Sequence, residues 1–139
     1  MEQLARVLLV DDDRSIRKMY GDYLRAHGFE VVEESSAVDA LDHLLKGDEK
    51  FDLVITDIMM AKMDGWELLD TIRRGMKLDE LALPVIIISA FESDTLEAKA
   101  LGKGANGSFV KGNDPLSKLL RQVRIQTGHE RSRYSDTTD

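Results

Sequence analysis

Carboxylates, a hydroxyl and an ammonium group stand at the ends of short apolar runs at four places in the sequence. Clustered carboxylates repel one another unless a cation joins them, and a hard divalent ion such as Mg²⁺ or Mn²⁺ is the natural partner of oxygen ligands. An aspartate in such a cluster can act as a nucleophile toward phosphorus, while an ammonium and a hydroxyl bind phosphoryl oxygens. The residues at these places are Asp11, Asp12 and Asp13, then Asp57, then Ser89 and Ala90, and finally Lys111.

Each of these groups also has an ordinary structural explanation. An acidic run after a strand is typical of a solvated loop, and Asp13 has the position of a helix N-terminal residue, where the helix dipole favours an anion. Asp57 alone could cap a helix, Ser89 could fill space, and lysines such as Lys111 mostly lie on surfaces. The residues indicate a site only if the fold brings them together.

The apolar runs predict five β-strands. Three of the runs are rich in valine, isoleucine and leucine without strict alternation, which is typical of strands buried on both faces. Because functional sites of parallel sheets lie outside the carboxyl ends of the strands, the four polar places are expected to meet at one edge. The predicted strands are Arg6–Val10, Glu30–Glu33, Leu53–Thr56, Val85–Ser89 and Ser108–Val110.

Helical patterns lie between the strands, with apolar residues at steps of three and four. Ser36 is placed to cap the second helix, and Pro115 to open the fifth. Strand and helix therefore alternate five times, which predicts a doubly wound α/β fold with helices on both faces of a parallel sheet. The apolar positions are Ile16, Met19, Tyr20, Tyr23 and Leu24 in the first helix; Val38, Leu41, Leu44 and Leu45, expected on one face, in the second; Trp66, Leu69 and Ile72 in a short third; Leu96, Ala100 and Leu101 in the fourth; and Leu116, Leu119, Leu120 and Val123 in the fifth.

Length and composition exclude several classes of protein. The chain has 139 residues, 42% of them apolar, which suits one domain with a real core. A net charge of −7 without a basic cluster argues against direct nucleic-acid binding, and the lack of cysteine excludes disulfides and thiolate metal sites. No apolar run approaches the ~18 residues of a membrane span, and residues 1–6 have no signal-peptide pattern. We expect a cytoplasmic protein without membrane contact, with one domain over residues 1–127 and a disordered polar tail over residues 128–139.

Four sequence motifs carry a resemblance to a known family. They are VLLVDDD at Val7–Asp13, DLVITDIMM followed by a lysine and Met-Asp-Gly at Asp52–Gly65, VIIISA at Val85–Ala90, and GANGSFVK at Gly104–Lys111. At these spacings they resemble the receiver domain of bacterial two-component response regulators, over residues 5–125. The resemblance implies the flavodoxin-like (βα)5 receiver fold with five parallel strands. It also implies a switch that catalyses only its own phosphoryl transfer and slow dephosphorylation.

The resemblance assigns a metal site to the acidic residues. Asp57 matches the phosphoacceptor, which is also a metal ligand. Asp12 matches the acid that binds Mg²⁺ or Mn²⁺ directly, and Asp11 the acid that usually acts through water. Met59 matches the position that lends its backbone carbonyl to the metal.

Other matches concern the phosphoryl group and the switch. Lys111 and Ser89 match the catalytic lysine and the hydroxyl residue that moves to meet the phosphoryl group. Ala90 leaves room for that group, and Gly65 matches the turn glycine after the third strand. Ser89, Ala90 and the nearby Phe109 are therefore the candidate switch residues.

Three positions depart from the family pattern. Ala61 stands where the loop after the phosphoacceptor usually has proline, and Gly112 stands where proline, often after a cis bond, follows the lysine. A cis bond before a non-proline residue costs ~3 kcal/mol, so we expect a trans Lys–Gly bond. The aromatic switch position is occupied by Ser108, and the next residue, Phe109, should point to the opposite face of its strand, into the core. Coupling between Ser89 and an aromatic ring is therefore in question.

Two side chains near the predicted site bear on the lifetime of the phosphoryl group. Met59 and Phe91 lie two residues after Asp57 and Ser89, respectively. Neither side chain can position a water molecule by strong hydrogen bonds. We therefore expect slow loss of the phosphoryl group.

The predicted function is that of a stand-alone receiver phosphorylated by a sensor histidine kinase or a phosphotransfer protein. The resemblance places the contact with a downstream protein on the fourth helix, fifth strand and fifth helix, about Asp94–Gln126, in a monomer or a phosphorylation-dependent dimer. One alternative is a degenerate receiver that binds partners without phosphorylation. Another is a small-substrate phosphohydrolase, which usually needs a second acid where Met59 stands and a cap over the substrate.

Overall fold

A five-stranded parallel sheet flanked by helices is formed by residues 4–47 and 49–128, the part of the chain that the computed structural model describes. The strands are β1 Arg6–Val10, β2 Glu30–Glu34, β3 Leu53–Asp57, β4 Val85–Ser89 and β5 Gly107–Val110. The helices are α1 Arg14–Ala26, α2 Ala37–Lys46, α3 Gly65–Asp70, α4 Leu96–Gly102 and α5 Leu116–Thr127, and a π-helical segment, Thr71–Gly75, extends α3. The predicted alternation of strand and helix is confirmed. The segment predicted as a disordered tail lies outside the described residues from position 129 onward.

The strand order is β2-β1-β3-β4-β5, and all neighbouring strands are parallel. The chain adds β2 on one side of β1 and β3 on the other, so the topological switch point lies between β1 and β3. Val10 pairs with Thr56, and Asp57 pairs with Ile88. The carboxyl ends of β1, β3 and β4 therefore meet at one edge of the sheet.

Helices cover both faces of the sheet, which explains why β1, β3 and β4 lack polar–apolar alternation. On one face α1 and α5 pack against the sheet, with Leu24 and Leu119 fully buried. On the other face α2, α3 and α4 do so, with Leu68 and Ala100 fully buried. Within these residues none of the helices has the length and apolar character needed to cross a membrane.

Two helix N-termini are capped at the positions that the sequence indicates. Asp13 accepts hydrogen bonds from the N–H groups of Ser15 (2.9 Å) and Ile16 (3.2 Å) at the start of α1. Ser36 accepts one from the N–H of Asp39 (3.1 Å) at the start of α2. A cap of this kind contributes about 1 kcal/mol. The carboxylate of Asp13 therefore serves the helix.

The buried face of α2 differs from the predicted one. The prediction grouped Val38 and Leu45 with Leu41, but Val38 and Leu45 are 53% and 68% exposed. Ala37 and Ala40 are buried beside Leu41 instead. Small side chains allow a helix to lie close to the sheet, and the pattern of large apolar residues does not reveal that choice of face.

At the amino ends of β4 and β5, Arg73 of the π-helical segment binds the turn between α4 and β5. Its guanidinium donates hydrogen bonds to the carbonyls of Gly104 (2.8 Å) and Leu83 (2.8 Å) and to Oδ1 of Asn106 (3.1 Å). The same Oδ1 accepts a hydrogen bond from the N–H of Val85 (3.0 Å). This polar cluster fixes the end of the sheet opposite the predicted site.

Candidate functional site

A buried ion cluster lies at the carboxyl edge of the sheet. Lys111, the first residue after β5, places its Nζ 3.0 Å from Oδ2 of Asp11 and 3.2 Å from Oδ2 of Asp57. Both carboxylates are shielded from solvent, since Asp11 is fully buried and Asp57 is 4% exposed. The ends of β1, β3 and β5 therefore each supply one charged group to the same point.

Backbone hydrogen bonds orient the two buried carboxylates. Oδ1 of Asp11 accepts a hydrogen bond from the N–H of Asp13 (2.9 Å). Oδ1 of Asp57 accepts one from the N–H of Ile58 (2.9 Å). Each carboxylate thus binds the backbone through one oxygen and directs the other, Oδ2, to the ammonium of Lys111.

The electrostatics of the cluster favour additional positive charge. Burial raises the pKa of Asp57, and the charge of Asp11 raises it further, while Lys111 offsets only part of this effect. Burial by itself lowers the pKa of Lys111, but the hydrogen bond to Asp11 and the charges of both carboxylates outweigh it, so this pKa is raised overall. One ammonium therefore does not compensate two buried carboxylates.

Asp12 completes the acidic set from the solvent side. One carboxylate oxygen each from Asp11, Asp12 and Asp57 lies within 4.8 Å of the others, and Asp12 is exposed. An all-oxygen donor set with one exposed member fits a hard divalent cation such as Mg²⁺, which keeps several water ligands. A cleft of about 390 Å³ lined in part by Met59 and Asp64 opens beside Asp12. A divalent ion held by these three carboxylates would neutralise charge on a phosphoryl group at Asp57.

Gly65 allows the loop after β3 to fold back onto Asp57. The N–H of Gly65 donates to the carbonyl of Ile58 (2.8 Å), and a Cβ at this position would lie 2.2 Å from the carbonyl oxygen of Asp57. Any side chain would therefore collide with backbone, so the close approach requires glycine. Asp64 then caps α3 by accepting a hydrogen bond from the N–H of Glu67 (2.8 Å).

Ser89 is buried at the end of β4, one residue beyond the strand partner of Asp57. Its hydroxyl donates to the carbonyl of Phe91 and accepts from the N–H of Phe91, both at 3.0 Å. Ala90 is exposed beside it. The fold thus brings Ser89 and Ala90 to the same edge as the ion cluster, while their roles toward a phosphoryl group stay predictions, as does the carbonyl role of Met59.

Near β5, where the sequence departs from the family pattern, the structure agrees with the expectations for Phe109 and for the Lys111–Gly112 bond. Phe109 is fully buried and meets the ring of Tyr20 edge to face, with centroids 5.9 Å apart, which confirms its predicted place in the core. Ser108 is partly exposed. The Lys111–Gly112 bond is trans, as expected, and Gly112 has a φ of +78°, which glycine adopts without strain.

Three residues that shape the site were not among those predicted from the sequence. Arg17 donates to the carbonyl of Asp11 (2.7 Å), and the hydroxyl of Thr56 donates to the carbonyl of Asp57 (3.0 Å). Asp64 lines the cleft next to the acidic set. Only Asp64 carried a signal, because an aspartate three residues before a glutamate predicts a helix capping box.

A doubly wound α/β fold with an aspartate cluster and a lysine at its carboxyl edge defines a receiver-type signalling domain. The chain belongs to the response regulator receiver domain family, whose family model matches residues 7–124. Receiver domains act as switches in two-component systems and bind a divalent metal at an acidic pocket, which here consists of Asp11, Asp12 and Asp57.

Curated relatives include both short and long proteins. Chemotaxis protein CheY of Treponema pallidum is 40% identical over 125 residues, covering 85% of this chain and 79% of that protein. Two-component response regulator ARR12 of Arabidopsis thaliana is 39% identical over 121 residues, covering 87% of this chain but 18% of that protein. The chain also spans 51% of the transcriptional regulatory protein YcbL of Bacillus subtilis, at 32% identity over 125 residues that cover 90% of this chain.

Solved receiver structures match the fold. CheY4 of Vibrio cholerae has a TM-score of 0.76 at 28% identity, covering 88% of this chain and 98% of that chain. A chain of the CheX–CheY–BeF3–Mg complex of Borrelia burgdorferi has a TM-score of 0.76 at 30% identity, covering 87% of both chains. The predicted flavodoxin-like receiver fold is confirmed.

Proposed function

We propose that this receiver accepts a phosphoryl group on Asp57, with Mg²⁺ or Mn²⁺ bound at the acidic set, and that phosphorylation changes its binding to a protein partner. The proposed donor is a sensor histidine kinase or a phosphotransfer protein. The observation that carries the proposal is the position of Asp57: it is buried with Asp11 and lies 3.2 Å from the ammonium of Lys111. Receiver domains interact with kinases, phosphotransfer proteins or other targets.

The proposed transfer is a displacement at phosphorus. A carboxylate oxygen of Asp57 forms the new O–P bond, the N–P bond of a phosphohistidine breaks, and the electron pair returns to the donor nitrogen. Lys111 then pairs with a phosphoryl oxygen, and the hydroxyl of Ser89 donates a hydrogen bond to another. The product is an acyl phosphate that brings about two negative charges into the site, enough to reorder a neighbouring loop.

The proposed downstream surface comprises α4, β5 and α5, between Asp94 and Gln126. Apolar and charged side chains alternate on α4, where Leu101 is 51% exposed and Lys99 lies 5.0 Å from the ring centroid of Trp66 on α3. Changes at the end of β4 reach α4 through a short loop, which supports this surface as the readout. A cytoplasmic location, and a monomer or phosphorylation-dependent dimer, complete the proposal.

The test is incubation with acetyl phosphate and Mg²⁺ followed by intact-mass measurement. The native chain is expected to gain the mass of one phosphoryl group, and Asp57→Asn to gain none. Asp70→Asn is the matched control, because Asp70 is an exposed aspartate paired with Arg74 and should leave the gain intact. A native chain that stays unmodified, with Mg²⁺ bound, would instead support the degenerate receiver. An equal gain in Asp57→Asn would place the modification elsewhere.

A further inference from the structure

The aromatic side chains near the switch have unusual positions in this chain. Ser108 carries no ring, and Phe109 is fully buried against Tyr20, so neither can swing between solvent and core at β5. Phe29, Phe51 and Phe109 have exposures of 2%, 6% and 0%, whereas Phe91 is 67% exposed. The solvent-exposed phenylalanine beside the site is therefore Phe91, the second residue after β4.

The hydroxyl of Ser89 binds the backbone of Phe91 while the ring points outward. That hydroxyl donates to the carbonyl of Phe91 and accepts from its N–H, each at 3.0 Å, and so closes a small ring that sets the direction of the loop. The same hydroxyl is the group proposed to bind the phosphoryl group on Asp57. It cannot keep both backbone contacts while donating its single proton to a phosphoryl oxygen, because a hydroxyl has one donor.

Phe91 is one of the residues that line a cleft of about 260 Å³. Its walls come from the loop after β3, from α3 and from the start of α4, and they include Met59, Trp66 and Leu96. The volume exceeds the ~150 Å³ that accommodates benzene in an engineered protein cavity. The lining also includes Ser93, Thr95 and Lys99. A phenyl ring packed against the apolar part of the lining would still exchange water for apolar contact, which is favourable.

We propose that Phe91 is the aromatic group that reads out phosphorylation in this receiver. When the hydroxyl of Ser89 turns from the Phe91 backbone to the phosphoryl group on Asp57, the ring of Phe91 moves from solvent into the cleft between Met59 and Trp66. The readout therefore runs along the β4–α4 loop into α4, without movement of the buried Phe109 on β5. This inference rests on the proposed phosphorylation of Asp57.

Fluorine NMR of the full chain labelled with para-fluorophenylalanine tests the inference. The chain has four phenylalanines, and the signal missing in Phe91→Leu identifies residue 91. In the unmodified chain this signal should show a solvent isotope shift and broadening by a soluble paramagnet. After treatment with acetyl phosphate and Mg²⁺ it should lose most of both effects, and in Asp57→Asn it should keep them.

Intact mass measured on the same samples separates the two hypotheses. A phosphorylated chain whose Phe91 signal stays as solvent-exposed as before would overturn the readout and leave the proposed function standing. A chain that gains no phosphoryl group would overturn the proposed function and the readout together. In Ser89→Ala, phosphorylated on Asp57 as judged by mass, the Phe91 signal should be the same before and after modification.

Fluorescence of Trp66 gives a second, independent reading, since its indole lines the same cleft. Phosphorylation should change the emission of the native chain, and Phe91→Ala should abolish this change although Asp57 is still modified. Leu45→Ala is the matched control, because Leu45 is 68% exposed on α2 and lies outside the cleft lining. Equal responses of the two variants would contradict the role of Phe91.

Discussion

Lys111 Nζ lies 3.2 Å from Oδ2 of Asp57, although the two residues stand at the ends of different strands of the sheet. The same nitrogen also lies 3.0 Å from Oδ2 of Asp11. One ammonium thus joins two carboxylates that are otherwise close enough to repel each other in a buried setting. The ion cluster therefore links the stability of the fold to the chemistry proposed for Asp57.

Replacing Lys111 by alanine is expected to lower the free energy of unfolding by about 3 kcal/mol when no divalent ion is present. The variant leaves Asp11 and Asp57 buried without their shared cation, which is the costly half of a broken ion pair. Urea unfolding at neutral pH in a chelating buffer measures the loss. Rate measurements with acetyl phosphate should also show slower phosphorylation, because no ammonium meets the phosphoryl oxygen.

Lys118→Ala is the control for the loss of a lysine. Lys118 pairs with Asp114, four residues earlier, at 3.1 Å, and the two side chains are 48% and 17% exposed. Exposed pairs of this kind contribute about 0.5 kcal/mol, so this variant should stay close to the native chain. Equal destabilisation by both substitutions would show that the buried cluster contributes no more to the free energy of unfolding than a surface ion pair does.

Gly65→Ala is expected to destabilise the chain by about 2 kcal/mol and to slow phosphorylation. The added Cβ would lie 2.2 Å from the carbonyl oxygen of Asp57, so the loop after β3 or the end of the strand must move. Thermal unfolding and the rate of mass gain with acetyl phosphate measure the two effects.

Gly102→Ala provides the comparison at a glycine with space around it. Gly102 is the last residue of α4, and a Cβ there meets no atom within 4 Å. Alanine in a helix is favoured over glycine by roughly 0.5–1 kcal/mol, so this variant should be as stable as the native chain or slightly more stable. A loss equal to that of Gly65→Ala would refute the steric argument.

The central features of the site follow from strand ends, and this is why sequence analysis could predict them. A short apolar run marks the extent of a strand. Its last residue therefore locates Asp11, Asp57 and Lys111 at the carboxyl ends of their strands. Parallel alternation then brings these ends together. The predicted strand limits differ from the structure by one residue at the ends of β2 and β3 and at the start of β5.

Features that depend on contacts between distant segments could not be predicted from the sequence. The hydrogen bonds of Arg73 to Gly104 and Asn106 join parts of the chain with no shared local pattern. The buried face of α2 depends on how closely the helix approaches the sheet. In the close packing observed, the small side chains of Ala37 and Ala40 are buried instead of the larger Val38 and Leu45. The position of Ser89 at the end of its strand could be predicted. Its hydrogen bond to the backbone of Phe91 could not, because it depends on the conformation of the loop after β4.

Stability is expected to fall as pH rises above 6.5, because of His43. Its Nε2 hydrogen-bonds to Glu34, and its Nδ1 lies 3.0 Å from Oε2 of Glu49. The bond to Glu34 is the main reason that the pKa of His43 is raised above 6.5, and Glu49 adds to it. The folded chain therefore holds the proton more tightly than the unfolded chain, so this stabilisation is complete below pH 6.5 and is lost as pH passes the raised value.

Urea unfolding at a series of pH values checks the contribution of His43. His43→Gln should remove the fall in stability over this range, since glutamine carries no titrating proton between Glu34 and Glu49. His27→Gln should leave the fall in place, because His27 is exposed at the end of α1 and the substitution does not touch this cluster. A native profile that is parallel to that of His43→Gln would contradict the assignment.

The acyl phosphate on Asp57 is expected to decay slowly, with a half-life well beyond seconds. Hydrolysis requires a water molecule held in line with the O–P bond, and the side chains two residues after Asp57 and Ser89 are Met59 and Phe91, which offer it no strong hydrogen bond. Met59 is 65% exposed and lines the cleft next to Asp12, so a polar group placed there can reach solvent near the site. Loss of phosphoryl mass with time, after removal of acetyl phosphate, measures the decay.

Met59→Gln tests this explanation, because its amide can orient a water where the thioether cannot. We expect it to accelerate decay roughly tenfold, below the ~100-fold that a well-placed general base contributes. Met19→Gln makes the same chemical change at a methionine on α1 that is 49% exposed, and it should decay at the native rate. A native half-life of seconds would reject the polarity argument outright, and equal acceleration by both glutamines would show that the effect does not arise at the site.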